Sequence, residues 1–367
     1  MQLLKSVSNR LSDADPQLFI YSLQDIAQNI QIESNFCISH PSYKPLELPV
    51  EMVSRIQKAP LSLQQKYQGL QLRSFLYGTY YNGSLKQALS PKTDAVEQVL
   101  HQDLENNTVL GIDLEFYERL HESNHGEGYF DPDWTLLRRE KDGCLAVTKG
   151  GLILHVKQDL HLRPSDYSAT IGSSIAIKMP RNVVQSGFYM AVSNAGSNTQ
   201  PQTVRIYFNL TPEGAVAVMG RLTRELNAAT IPFTFKVLYD PSNYERHDSG
   251  VLYFERSNYE IVWQILQTIY QDQKSCFRTE IPLFTKKLAP GLALAEEPNH
   301  KFSAKESFGT HRCQIVANGL LEAWQKGDNS PENRMMCISQ HFSQLGIDLE
   351  RPYLNADSED VYTPLDL

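Results

Sequence analysis

Cysteine is scarce: five among 367 residues, at Cys37, Cys144, Cys276, Cys313 and Cys337, scattered and odd in number. No CxxC or zinc-like pair occurs among them, so a disulfide framework is excluded and free thiols in a reducing, cytoplasmic setting are expected. Long apolar runs are missing too. No window approaches the ~18 uninterrupted apolar residues of a membrane helix, and "MQLLKSVSNRLSDADPQLF" lacks the apolar core of a secretory signal. A surplus of positive charge is also absent. The formal net charge is −8 with a pI near 5.7, which argues against a generic nucleic-acid binder but leaves room for a local basic pocket. No GxxxxGK[ST] loop occurs, "TIGSS" is not a dinucleotide fingerprint, and no GxSxG elbow is found. Nucleotide-dependent phosphoryl transfer by this chain alone is therefore not expected, nor is a hydrolase built on a serine elbow.

What is present is an ordinary globular composition, 41% hydrophobic and 21% charged, long enough for one large or two ordinary domains. Residues 1–125 read mostly as helix. "PQLFIYSLQDIAQNIQI" has apolar residues at helical spacing after Asp15-Pro16, "HPSYKPLELP" interrupts, and "LSLQQKYQGLQLRSFLYGTYYNG" resumes a helix ending at Asn82-Gly83. "DAVEQVLHQDLENN" and "GIDLEFYERLHESNHG" predict two more helices, the second stopped by Gly126 and Gly128. From 126 the pattern changes. "CLAVTKGGLILHV" predicts two strands around Gly150-Gly151, and "SSIAIKMP", "GFYMAVSN" and "TVRIYFNL" follow as strands. "PEGAVAVMGRLTRELNAA" predicts a helix, "FKVLYDPSNYERHDSGVLYF" a hairpin, and "SNYEIVWQILQTIYQD" another helix. "PLFTKKLAPGLALAEEPN" reads as loop before the helical end of "SFGTHRCQIVANGLLEAW". Three regions result: a helical 1–125, an α+β domain 126–325, and a polar extension 326–367. Without a steady βαβα rhythm the expected class is α+β, with a mixed, mainly antiparallel sheet flanked by helices.

"HESNH", His121 to His125, matches the HExxH zinc pattern; the alternative is a helix C-terminus carrying histidines, which the helix dipole favours. A more distinctive feature is the set of cations among the strands: Lys178, Arg205, Lys236, Arg246 and later Arg312. Each has an ordinary reading. Arg205 could pair with a carboxylate on a sheet face, Lys236 could be an edge-strand lysine, Arg246 could bridge to Asp248, and Arg312 could pair with Glu306. Should they converge, the chemistry is definite. Arginines hold phosphate and stay charged, and a lysine among them and apolar walls can act as a base. Such a base removes the Cα proton of a phosphoserine or phosphothreonine while the arginines hold the departing phosphate, with no metal or cofactor required.

"LRSFLYGTYYNG", "GYFDPDW", "GFYMAV", "VRIYFNL", "PFTFKVLYDPSNYERHDSGVLYF", "LAPGLALAEEP" and "SFGTHR" resemble the blocks of the HopA-type effector family, in order from about residue 72 to 313. That family includes type III effectors and the lyase-like proteins of class V lanthipeptide and thioamitide biosynthesis. The resemblance implies a fold similar to phosphothreonine lyases. It also implies a phosphorylated precursor peptide as substrate and a kinase-like partner to supply it; the charge and the hydropathy, for their part, predict neither a nucleic-acid nor a membrane partner. Carried over, it makes Lys236 the base and Arg246 a phosphate ligand, with Arg205, Arg312 and Lys178 as further candidates. Where those lyases carry a phenylalanine-histidine pair, this chain has Phe188-Tyr189, which makes Tyr189 the expected acid. A protein-binding module of the effector type is the competing expectation.

Overall fold

The computed structural model describes residues 14–91, 108–109, 112–197, 202–304 and 306–367. The helix expected over "DAVEQVLHQDLENN" lies outside the described residues. In the first third, α1 (Ala14–Asn29) leads to a small sheet of β1 (Gln31–Ile32), β2 (Ile38–His40) and β3 (Tyr43–Leu46). Helices α2 (Val50–Gln57) and α3 (Leu61–Leu76) follow, each entered through a proline. The residues after α3, Tyr77–Tyr81, widen into a π-helical turn in which the Asn82 N–H reaches back to the Tyr77 carbonyl. Single π turns often mark functional positions, because the extra residue re-aims the side chains around it. Gly83, at φ +75°, ends the run as expected. Beyond the short β4 (Thr108–Val109) and β5 (Ile112–Asp113), α4 (Leu114–Ser123) starts with the Asp113 carboxylate accepting from the Phe116 N–H.

A four-stranded antiparallel sheet comes next, ordered β8-β7-β6-β9 from β6 (Tyr129–Arg139), β7 (Leu145–Lys149), β8 (Leu152–Val156) and β9 (Ser174–Met179). Its small core, including Trp134, Leu136, Val147 and Ile177, is separate from the main one. The single turn α5 (Gln158–His161) precedes β9.

The principal sheet has seven antiparallel strands in the order β10-β11-β13-β14-β12-β16-β15. They are β10 (Asn182–Gln185), β11 (Phe188–Val192), β12 (Thr203–Phe208), β13 (Phe233–Leu238), β14 (Gly250–Glu255), β15 (Lys286–Ala289) and β16 (Leu292–Glu296). The α+β class read in the sequence is therefore what the chain adopts, but "LAPGLALAEE" is a hairpin rather than loop. On one face of the sheet Phe208, Phe235, Val237, Leu252 and Phe254 are fully buried. The helix α6 (Pro212–Ala228) packs along β13 there, and α7 (Tyr259–Asp272) packs on α6. Burial of a side chain of this size contributes roughly 1.5–3 kcal/mol, so this layer anchors the sheet.

The other face is covered in part by the π turn and by α8 (Phe308–Gln325), which the Ser307 hydroxyl caps. Gly309 makes that cover close, since a Cβ there would come within 2.3 Å of the Tyr81 ring. Helix α9 (Pro331–Gln344) packs on α8, and the chain end returns along the sheet edge, where the Leu365 N–H donates to the Leu288 carbonyl. Glu296, buried at the end of β16, fastens that segment by accepting from the Asn355 N–H, the Ser358 hydroxyl and the Tyr362 hydroxyl. Among the described residues no helix is long and apolar enough to cross a membrane.

Candidate functional site

Side chains alternate across a strand, so pairing register decides which residues share a face. Met190 pairs with Lys236, Lys236 with Val251, and Tyr253 with both Thr234 and Arg205. Phe188, Lys236, Tyr253 and Arg205 therefore stand on one face of the sheet. Two rings tie the cations together. The Lys236 Nζ lies 4.5 Å from the Phe188 ring centroid and 5.4 Å from that of Tyr253. Arg246, from the loop between β13 and β14, places its Cζ 5.8 Å from the same Phe188 ring, and Arg205 lies 4.9 Å above Tyr253. Three of the cations picked out in the sequence thus converge on two shared aromatic surfaces.

Their partners differ. Arg246 grips Asp248 with two hydrogen bonds, Nε to Oδ1 at 2.8 Å and Nη2 to Oδ2 at 3.0 Å, and the Tyr77 hydroxyl of the π turn donates to the same carboxylate at 3.4 Å. Burial opposes the charge on Arg246, but Asp248 outweighs it and raises the guanidinium pKa above its usual value. Arg205 is paired with Glu297, which also meets Lys301. Burial pushes the Glu297 carboxyl up, yet Arg205 and Lys301 hold it below the ordinary range. Burial, reinforced by Asp248, raises the Tyr77 phenol well above its usual pKa, so it serves as a neutral donor. Lys236 is half-buried, and its Nζ lies over the two rings with no carboxylate partner among the described residues.

Three expected positions fall elsewhere. Tyr189 pairs with Val237 and so faces away from Lys236. Fully buried, it accepts from the Asn124 amide at 3.0 Å and meets His121 Nδ1 at 3.2 Å, and burial pushes its phenol up to about 12. The reason is the strand period: of the Phe188-Tyr189 pair only Phe188 can share a face with Lys236. Arg312 is fully buried in α8 and already engaged, donating to the carbonyls of Pro352 at 2.7 Å and Leu354 at 2.8 Å and lying 2.7 Å from His311 Nδ1. It ties α8 to the C-terminal segment and has no surface for a phosphate. Lys178 is exposed on β9, opposite Phe130, in the four-stranded sheet rather than the principal one.

The HExxH match does not form a metal face. Helix α4 stops at Ser123, which leaves His125 beyond it, 2.8 Å from Arg224, while His121 turns to Tyr189. Among the described residues no three His, Cys, Asp or Glu side chains are grouped to hold a metal. Tyr77, Tyr253 and Glu297, which contact these cations or their partners, were not among the site residues expected from the sequence. The aromatic density of "YGTYY" is the one local signal, since a strand face and a long-range ion pair leave none.

Residues 179–354 match the HopA1 effector protein family. Similar solved structures include the effector protein from Pseudomonas syringae pv. tomato strain DC3000, with a TM-score of 0.41 at 16% identity, covering 66% of this chain and 81% of that one. The effector protein from Pseudomonas syringae pv. syringae strain 61 gives a TM-score of 0.40 at 16% identity, with the same coverage. Comparison with curated proteins gave no match. The resemblance to the HopA-type effector family therefore holds over residues 179–354, the segment that carries Phe188, Arg205, Lys236, Arg246 and Tyr253 and leaves Lys178 just outside.

Proposed function

We propose that the Lys236 face binds a phosphorylated serine or threonine of a peptide and eliminates its phosphate. The supporting observation is the charge pattern. Both neighbouring arginines have a carboxylate, whereas half-buried Lys236 has none among the described residues. In the reaction the Lys236 amine takes the Cα proton, the Cβ–O bond breaks, and the electron pair forms the Cα=Cβ bond of a dehydroalanine or dehydrobutyrine. Arg246 and Arg205 stabilise the leaving phosphate, using the N–H donors that Asp248 and Glu297 leave free. Tyr253, on the same face, protonates the leaving oxygen in place of Tyr189. A separate kinase-like protein supplies the phosphopeptide, since no nucleotide-binding motif is present in the sequence.

Phosphoserine and phosphothreonine peptides incubated with the protein should lose phosphoric acid by mass and gain a thiol-reactive alkene. Lys236→Ala should abolish this, Tyr253→Phe should slow it, and Tyr189→Phe should leave it unchanged. Full turnover by Lys236→Ala would sink the assignment.

A binding-module reading also has an observation behind it. Val50, Met52, Leu61, Leu63 and Tyr67 on the adjoining helices α2 and α3 are exposed apolar side chains. A tight protein complex indifferent to both Lys236→Ala and Arg246→Ala would favour that reading.

A further inference from the structure

A cavity of about 300 Å³ lies between α3, the π turn and the start of α8, with Arg73, Ser74, Ser84 and Thr310 among its walls. Its volume is at the lower end of small-ligand sites, enough for one side chain rather than a cofactor. Three observations give it a chemistry. Tyr77 is a wall of the cavity, and its hydroxyl is the one that meets Asp248, so a single phenol separates this space from the Arg246 grip. Arg73 is half-buried, and its Nη1 donates to a neutral group, the side-chain amide oxygen of Gln314, at 3.1 Å. No aspartate or glutamate stands in the wall, and Arg73 has no carboxylate partner among the described residues. Lys236 and Arg73 are thus both cations without a carboxylate, one on each side of the Tyr77–Asp248–Arg246 chain.

Gly78 and Leu85 also line the cavity. A Cβ at Gly78 would meet the Leu85 side chain at 2.4 Å and push the following loop away from the π turn.

We infer that this cavity is a specificity subsite for a carboxylate side chain, aspartate or glutamate, next to the phosphorylated residue of the peptide. The inference rests on the Lys236 face being the phosphate site. Arg73 then supplies a charge-assisted hydrogen bond, and the Ser74 and Ser84 hydroxyls supply further donors. A basic side chain in the same place would be repelled.

The test is equilibrium binding of labelled phosphoserine peptides to the full chain, with glutamate, alanine or lysine on either side of the phosphoserine, alongside their unphosphorylated forms. The glutamate peptide should bind roughly tenfold more tightly than the alanine peptide, and the lysine peptide more weakly than both. Arg73→Gln should erase that ranking, and Arg73→Lys should restore part of it. Equal affinity for the three phosphopeptides overturns the subsite. An equal loss for all of them in Arg73→Gln, without rescue in Arg73→Lys, overturns it as well. Phosphopeptides that bind with the expected ranking but never lose phosphate uphold the subsite and remove only the elimination step. Phosphorylated and unphosphorylated peptides binding alike would remove the phosphate site, and the subsite with it.

Discussion

Replacing Asp248 with asparagine should move stability and anion binding in opposite directions. Asp248 is 5% exposed and holds Arg246 in a bidentate pair, while the Arg246 side chain keeps 24% of its surface in solvent. Removing one partner of a fully buried ion pair costs about 3–5 kcal/mol, and water reaching Arg246 reduces this to about 2 kcal/mol. The carboxylate also competes with any phosphate for Arg246. Two unit charges about 4 Å apart repel by about 4 kcal/mol at an effective dielectric of 20. Even if solvent removes more than half of that, the variant should bind phosphate roughly tenfold more tightly. Urea unfolding followed by the fluorescence of Trp134, Trp263 and Trp324, with and without inorganic phosphate, reads both effects. In chloride the variant should be weaker by about 2 kcal/mol. Added phosphate should then recover more stability in the variant than in the wild type, approaching a difference of about 1.4 kcal/mol at saturation. Equal phosphate stabilisation of the two proteins would refute the placement of the phosphate on Arg246.

Arg312→Met should loosen the C-terminal segment, because two buried carbonyls lose their donor at about 1–3 kcal/mol each. Hydrogen exchange at Leu354 and Leu365 should accelerate, and unchanged protection would count against the tie. Burial, with Arg312 beside it, lowers the His311 pKa from the ordinary 6.5 to about 3. Between those values the unfolded chain binds a proton that the folded chain refuses. Stability from this group is therefore complete above pH 6.5 and falls as pH drops toward 3. The slope is about 1.4 kcal/mol per pH unit, so His311→Gln should be less acid-sensitive between pH 7 and pH 5 by roughly 2 kcal/mol in urea titrations. Gly309→Ala should destabilise by up to about 2 kcal/mol. Helix propensity favours alanine by about 1 kcal/mol, but overpacking against a buried ring costs about 1–3 kcal/mol, and a rise in melting temperature would show that Tyr81 can yield.

Elements whose local chemistry agrees with their place in the fold were legible. The β7–β8 hairpin turns at Gly150 and Gly151, both at positive φ, and α6 starts where Pro212 follows a capping Thr211. The misses share a cause. β15 and β16 pair around Pro290-Gly291, but β16 is buried at every residue, so "LALAE" has no alternation to betray a strand. β6 is broken in appearance by Pro132 and by Asp133 at φ +64°, and the register shift between Asp131 and Trp134 absorbs both within the strand. In each case pairing with a neighbour overrides weak strand propensity, and a single sequence does not display its neighbours.

The candidate site was legible in the same uneven way, and for a geometric reason. "FKVLYD" identifies Lys236 because a lysine between buried Phe235 and Val237 must emerge on the opposite face, whatever the sheet around it. The same rule, applied to Phe188-Tyr189, separates the two residues: once Met190 is opposite Lys236, Phe188 joins the lysine and Tyr189 cannot. For the proposed elimination, the candidate acid is then the phenol on the strand at the other side of β13. There β14 presents Tyr253, level with Arg205 on β12, a juxtaposition fixed by the order β13-β14-β12 and by no feature of either strand alone. The presence of a phenol on this face is thus a consequence of sheet order, which is why exchanging Tyr253 and not Tyr189 for phenylalanine is the substitution that discriminates between the two proposed assignments.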